Sequence, residues 1–536
     1  MFIPAPQQQD APGPSSDRPE QRERWIAAAV CLVLVAFAFY LGYRGAPFIV
    51  QRTIAFYPGQ YQRVVMNSGE AVSKAMRAVY TASDPSALND AIAAVQAMVD
   101  AGNAEAAFRL GRYYHLETGD PDYALALKYY RIASAANHPW ANNNLGLLYR
   151  DGLGVPRDYG KAHLYFLRAA RRQNPWAYVN LAEMSFLGRG VPISMRTGIA
   201  WLEEGAANRC SLCLIEEAAI YHSGAFRLAR DPARTVALLN EDSARGDRQA
   251  ALIIAELYLV GDGVPQSSAR AFEILRTLSD HGYGDATNLL GELSADSQIL
   301  DRLFDDSLGG VAQIPADFTR VFAADTSTAV RYWTLASQQG NCQSLIDLSS
   351  VFDRGAGVTV DYPRATEYVK RAVACDPTNS FYLWKLGHRF YDAKGVARDC
   401  LAARRLFEQS FRYGYADAAV DLGYIYDKGC DPIARDDHRA FQIYLLGAKL
   451  GVALSQNNVG AMLKHGRGVP AADPARGYAW IKLAAMRGDE LAMKNLDDPL
   501  FTPKVRALGL ADLVDLQRRL AATPTDRRAI MNDPWY

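Results

Sequence analysis

An all-α fold is what the sequence predicts: a solenoid of about ten helix-turn-helix repeats, preceded by one transmembrane helix. Three observations predict it. A pair such as Leu145-Gly146 recurs about every 36 residues. A Gly-x-Gly-Val-Pro turn follows that pair in several copies. A single uncharged apolar run, residues 25–43, stands ahead of the whole array.

Residues 1–24 are rich in Pro, Gln and charge. Such a segment buries too little apolar surface to offset its ordering entropy, so it reads as a disordered tail. The run WIAAAVCLVLVAFAFYLGY follows at 25–43. At ~1.5 Å per residue it spans about 28 Å, close to the hydrocarbon core of a bilayer. Trp25, Tyr40 and Tyr43 sit at its ends, where amphipathic rings favour the interface. No small-x-small cleavage site follows, so it reads as a membrane anchor rather than a signal peptide. Arginines flank it on both sides and leave its orientation open. Residues 44–67 form a linker. Residues 68–103, with Ala71, Met76, Val79, Ala91, Val95 and Met98, read as a helical N-terminal cap.

The repeats occupy 104–294 and 328–498. Anchor pairs fall at Leu110-Gly111, Leu145-Gly146, Leu181-Ala182, Glu217-Ala218, Ile254-Ala255 and Leu290-Gly291, then at Leu348-Ser349, Leu386-Gly387, Leu422-Gly423 and Val459-Gly460. Successive spacings run from 35 to 38 residues, apart from one of 58. Each unit reads as a helical hairpin. Helix A carries the anchor. In LGLLYRDGLGVP (145–156), Gly152 and Gly154 supply the left-handed backbone that ends a helix, and Pro156 prevents its continuation. Asp158 caps helix B, as Asp231-Pro232 and Asp473-Pro474 do elsewhere. About 20 residues past the anchor a large side chain (Tyr130, Tyr165, Trp201, Ile274, Tyr368, Leu406) is expected to fill the space the small anchor leaves. Tyr114, Tyr149, Tyr221, Tyr258 and Tyr426 share one register position, which marks them as core.

This pattern resembles the Sel-one-like repeat, a relative of the tetratricopeptide repeat: Leu-Gly-x-x-Tyr, Gly-x-Gly-Val, Asp, then Ala with an aromatic and Ala-Ala. It covers roughly 104–495. It is degraded near Glu217, which lacks the glycine turn, and near Leu422, where Cys430-Asp431-Pro432 replaces it. The resemblance implies a right-handed superhelix and adaptor roles in membrane-complex assembly, quality control, signalling or polysaccharide export. The stretch 295–327 interrupts the period and reads as a bend between two blocks, with a partner-binding insertion as the alternative. Residues 499–536 read as a closing amphipathic helix and tail.

Chemistry is sparse. The 58 basic and 58 acidic side chains cancel, which argues against a nucleic-acid binder relying on a basic face. Gly154 to Lys161 has the wrong gap for a phosphate loop and no strand before it. No His-Glu-x-x-His or Gly-x-Ser-x-Gly occurs, and the histidines are scattered, so no catalytic residue, cofactor or metal is expected. Cys210-x-x-Cys213 could be a redox or zinc half-site, but with no second pair it reads as two small helix residues. Cys342 near the start of a helix A and Cys375 near the end of that unit's helix B are brought together by a hairpin. Cys400 and Cys430 lie near the turns of adjacent units and form a second candidate pair. Such disulfides, which resemble those of secreted members of the repeat family, imply an oxidising compartment. The chain is therefore expected to be a single-pass protein of a bacterial inner membrane with its repeats in the periplasm. The functional expectation is a non-enzymatic scaffold that docks a partner protein. The alternatives are a periplasmic hydrolase acting on peptidoglycan or β-lactams, and a glycan-binding component of polysaccharide secretion.

Overall fold

The computed structural model describes residues 70–81, 85–117, 121–295, 317–322 and 325–522. The tail, the apolar run, the linker, most of the interruption (296–316) and the last residues lie outside the described residues. Within them no helix is long and apolar enough to cross a membrane. Apart from one β-bridge between Cys430 and Ile433, the regular structure described is helical.

Ten hairpins follow one another. Their A and B helices are Ala104–Arg112 with Tyr123–Ala135, Pro139–Asp151 with Tyr159–Ala170, Pro175–Leu187 with Met195–Ala207, Ser211–Ser223 with Pro232–Ala244, and Arg248–Val260 with Ser268–Asp280. Then come Gly284–Ala295 with Thr326–Gln338, Gln343–Arg354 with Tyr362–Cys375, Ser380–Tyr391 with Cys400–Arg412, Ala418–Lys428 with Asp437–Lys449, and Ala453–His465 with Pro474–Met486. These are units 1 to 10. In front stand Glu70–Thr81 and Pro85–Asp100. Val72 is buried in the first of these, whereas Ala71, expected to be core, is exposed. Behind unit 10, Pro503–Ala522 lies on Pro474–Met486 and buries Leu513 and Leu516.

Unit 2 shows why these residues make a hairpin. His138 caps helix A, its Nδ1 accepting from the Ala141 N–H at 3.3 Å, and Pro139 occupies the first turn, where no N–H is needed. Gly152 adopts φ 74° and its N–H donates to the Leu148 carbonyl, which ends the helix. The Asp158 carboxylate then accepts from the Lys161 N–H at 2.9 Å and starts helix B. Replacing such a cap with Ala typically costs about 1 kcal/mol. Asp231 and Asp473 cap in the same way, through the Arg234 and Arg476 N–H groups.

The anchor glycine works by close approach. A Cβ placed on Gly111 would lie 2.6 Å from the Tyr130 ring, and one on Gly387 2.6 Å from the Phe407 ring. Tyr130, Phe166 and Phe407 thus face anchor glycines, and Leu202, Leu275 and Val369 are buried at the corresponding position of their units. Apart from Tyr130 these lie one residue beyond the expected ones. A helix turns about 100° per residue, so Tyr165, Trp201, Ile274, Tyr368 and Leu406 fall to the side and stay half-buried. There Tyr165 stacks on Tyr149 (5.6 Å) and Tyr368 on Phe352 (5.8 Å).

The second turn glycine joins units together. A Cβ on Gly154 would lie 2.6 Å from that of Tyr123, at the start of the preceding helix B, and one on Gly357 would lie 2.7 Å from that of Thr326. Unit 4 lacks that glycine. Phe226 takes its left-handed conformation (φ 55°) and stacks on Phe186 at 4.5 Å.

The interruption falls inside a unit rather than between two blocks. Gly284–Ala295 and Thr326–Gln338 pack as the two arms of unit 6, with Gly291 beneath Trp333. The Asp325 N–H donates to the Ser294 carbonyl at 2.9 Å, closing the hairpin. Residues 296–316, which lie outside the described residues, therefore fall in sequence between the two helices of unit 6. Beyond them Asp317 accepts from the Ser268 and Ala269 N–H groups (3.2 and 3.0 Å), and Phe318 and Phe322 bury themselves against unit 5.

Candidate functional site

Each B helix packs on its own helix A and on the next one. A helices also touch their successors: Pro175–Leu187 meets Ser211–Ser223, and Ala418–Lys428 meets Ala453–His465. Successive B helices approach less closely and meet through single side chains near their ends, such as Arg245, which donates to the Ala206 carbonyl at 3.0 Å. Closer spacing of the A helices puts them on the inside of the curve. Their outward side chains form one continuous inner face.

That face is knitted across units by polar and aromatic groups. Asn180 Nδ2 donates to Asn143 Oδ1 at 3.0 Å, while Arg150 reaches from unit 2 to Asn180 (3.1 Å) and Glu183 (3.2 Å) of unit 3. Tyr283 donates to Gln249 at 2.7 Å and Tyr382 to Gln343 at 3.3 Å. Arg389 of unit 8 makes a two-pronged pair with Asp353 of unit 7 and donates to Ser349 Oγ at 2.9 Å. Trp384 Nε1 donates to Asp421 of unit 9 at 2.7 Å, and Asn495 to Asn457 at 2.8 Å. Such ties fix the relative positions of neighbouring repeats, so the face presents a preformed surface.

The shared tyrosine position is packing. Tyr149 and Tyr426 are buried; Tyr114, Tyr221 and Tyr258 are half-buried against the core clusters. A basic side chain three residues past the Asp cap covers the ring: Lys161 lies 5.4 Å from the Tyr149 centroid and Arg439 4.4 Å from that of Tyr426. The sequence reading missed this recurring partner, although Asp-x-x-Lys/Arg is visible in several units.

The structure brings Cys342 together with Cys375 and Cys400 with Cys430, each with Cα atoms 5.8 Å apart, within the range a disulfide bridges. It also joins Cys210 to Cys213 (Cα–Cα 5.3 Å), a pair that reading the two as small helix residues overlooked. Cys210 is the N-cap of a helix A and Cys213 its third residue. In unit 5 the same two positions hold Asp247 and Ala250, joined by a 2.8 Å hydrogen bond. Unit 4 thus adds a sulfur–sulfur link where unit 5 uses a cap alone. Cys31 lies outside the described residues.

Gly152, Gly154 and Lys161 form no anion cradle, since Lys161 pairs with its own cap Asp158 at 3.2 Å. Among the described residues no three His, Cys, Asp or Glu side chains converge to hold a metal ion. His115 is buried in the π-helical turn Tyr113–Glu117, 3.2 Å from the Tyr130 hydroxyl; burial pushes its imidazole down to about 4.

The Sel1 repeat model matches residues 104–138, 141–174, 177–209, 248–283, 321–341, 343–376, 380–412, 416–452 and 453–489, more than half of the chain. Among characterised proteins, the chitin synthase regulator SKT5 of Saccharomyces cerevisiae is 27% identical over 235 residues, covering 41% of this chain and 30% of the yeast protein. The chain therefore spans less than a third of that relative's length. Two of the similar solved structures illustrate the likeness. One is a protective antigen of uropathogenic Escherichia coli with an SLR fold: 20% identity, 86% of this chain, 95% of that one, TM-score 0.44. The other is a Sel1 repeat protein from Oxalobacter formigenes: 22% identity, 62% of this chain, 89% of that one, TM-score 0.36.

Proposed function

We propose, from the premise that the chain belongs to the Sel1 repeat family, that it is a non-enzymatic scaffold whose inner, helix-A face docks a partner protein. The observation that carries this reading is the face itself. Side chains of successive units are bound to one another along it, so it is a rigid extended surface rather than a pocket. Exposed area of that kind suits a protein segment better than a small substrate, which prefers an enclosed cleft. The name of the yeast relative, a regulator of an enzyme, supports the same direction.

The proposal extends to location. The apolar run at 25–43 serves as a single anchor in a bacterial inner membrane, and the repeats lie in the periplasm. The three cysteine pairs support an oxidising compartment, because cytosolic thiols are kept reduced. On this reading the scaffold assembles or regulates a membrane or envelope complex. The test is photo-crosslinking in intact cells from Leu147 and Ser350 on the inner face and from Glu273 and Arg276 on the outer one. One partner identified from the inner positions alone supports the reading; capture from the outer positions alone overturns it.

A further inference from the structure

The B helices of units 4 and 5 carry their basic side chains in pairs with acids. Arg234 meets Glu217 at 3.1 Å, Arg245 meets Glu241 at 2.6 Å, Arg270 meets Glu273 at 2.9 Å and Arg276 meets Asp280 at 3.8 Å. Units 1 to 3 differ. Residues 123–172 hold eight Lys and Arg against two Asp. Both Asp are engaged inside the fold, Asp151 by Arg150 and Asp158 by Lys161. Lys128, Arg157, Arg171, Arg172 and Arg196 are exposed and make no ion pair among the described residues. The whole chain has no net charge, so this excess is a local feature.

Helix phase gathers these cations on the outer face. Tyr130, Phe166 and Leu202 are buried at one register of units 1 to 3. A helix turns about 100° per residue, so side chains two before and two after them point away from the core. The row before is Lys128, Leu164 and Ala200, and the row after is Ile132, Arg168 and Glu204, all exposed. Arg171 and Arg172 follow at the end of helix B in unit 2, and Arg196 lies in the first turn of helix B in unit 3. Glu203 and Glu204 bound the patch toward unit 4. Large apolar side chains stand among the cations: Ile132, Leu164 and Ile193 are 38%, 58% and 69% exposed. Ile193 occupies the register that Arg157 holds in unit 2.

Single apolar side chains set between long cations on a convex surface suit one kind of occupant. A protein partner asks for a continuous apolar core at the contact. A nucleic-acid backbone would take the cations but leave Leu164 and Ile193 in water. A lipid surface takes both: apolar tips enter the acyl boundary while Lys and Arg meet anionic headgroups. The same chain carries the apolar run at 25–43, and twenty-six residues, 44–69, separate that run from the first described helix. At up to ~3.5 Å each they reach about 90 Å. An anchored run therefore keeps units 1 to 3 within reach of its own bilayer and makes a weak contact intramolecular. We infer that the outer face of units 1 to 3 lies on an anionic lipid surface, with Leu164 and Ile193 entering the interface and the unpaired cations on the headgroups. The tether rests on the location reading above, whereas the lipid contact stands on the face itself.

The test uses the full-length chain with nanodiscs of phosphatidylcholine alone, or of phosphatidylcholine and phosphatidylglycerol in equal parts. A photo-crosslinking amino acid replaces Leu164, Ile193 or, as a control on unit 6, Leu335, which is 40% exposed. Mass spectrometry of the intact protein counts lipid adducts. Positions 164 and 193 should give about tenfold more adducts with phosphatidylglycerol present than without it, and position 335 few in either disc. The R157Q/R171Q/R172Q variant should lose most of that gain, while E273Q on unit 5 keeps it. Thermal melts confirm that the variants fold. Equal adducts in the two discs overturn the inference, as does a position 335 that matches 164 and 193, or a triple variant that behaves like the wild type. A chain that stays out of phosphatidylcholine discs yet gains adducts with phosphatidylglycerol keeps the lipid-binding face and loses the anchor. A chain that enters both discs without that gain keeps the anchor and loses the face.

Discussion

Gly387 on one helix lies directly beneath the ring of Phe407 on its hairpin partner, so close that any side chain on the glycine would collide with the ring. Phe407 is fully buried, with no room to withdraw. Gly387→Val should therefore destabilise the protein by roughly 1–3 kcal/mol, the usual range for overpacking. Phe407→Leu alone leaves a void, but added to the valine it should recover part of the loss. Urea melts of the two single variants and the double one check this; strict additivity would contradict the packing.

Stability should respond to pH through the carboxyl groups of the inner face. Burial pushes Asp347 and Glu216 up to about 7 and Asp242 to about 6, whereas an unfolded carboxyl titrates near ~4. A raised carboxyl contributes stability that is complete below about pH 4 and is lost as pH rises through its folded value. His115, pushed down to about 4, acts oppositely: its contribution is complete above ~6.5 and is lost as pH falls. The difference between wild type and Asp347→Asn isolates one group. Wild type should lose melting temperature relative to the variant between about pH 4 and 7. Parallel profiles would contradict the assignment.

The cysteine pairs predict a labelling pattern. Denatured without reductant, the chain should take iodoacetamide at Cys31 alone; with reductant, at all seven cysteines. Cys342→Ser opens a link across 33 residues and should cost about 2–4 kcal/mol. Cys213→Ser opens a link across 3 residues and should cost less. Full labelling without reductant would remove the support for a periplasmic location.

The two helices of unit 6 are joined by the close approach of Gly291 to Trp333 and by the Asp325–Ser294 hydrogen bond. Replacing residues 296–316 with a short Gly-Ser turn should leave helix content intact, because loop length adds only about 0.6 kcal/mol per doubling. Circular dichroism and thermal melting check this. Loss of cooperative unfolding would show that the segment supports the hairpin.

The repeat, its turn and its Asp caps were legible because each has a local cause: a left-handed glycine, a missing N–H, a carboxylate beside free N–H groups. Gly152 and Asp158 declare their roles from sequence alone. What packs on the anchor was legible only to within one residue. Tyr165 and Phe166 are both large, and helix phase rather than size selects Phe166. The interruption was misplaced because its start at Ala295 and the restart at Thr326 look alike whether they bound a unit or divide one; only the Gly291–Trp333 contact decides. Cys210 and Cys213 went unpaired because three-residue spacing on a helix is unremarkable until the first of them is seen to be a cap.

The central claim is that the inner face docks a partner. Site-specific photo-crosslinking in intact cells, followed by identification of the captured protein, tests it most directly. Probes at Leu147 and Ser350 should capture one common partner, and probes at Glu273 and Arg276 should capture none. Capture from Glu273 and Arg276 with silence at Leu147 and Ser350 would contradict the account.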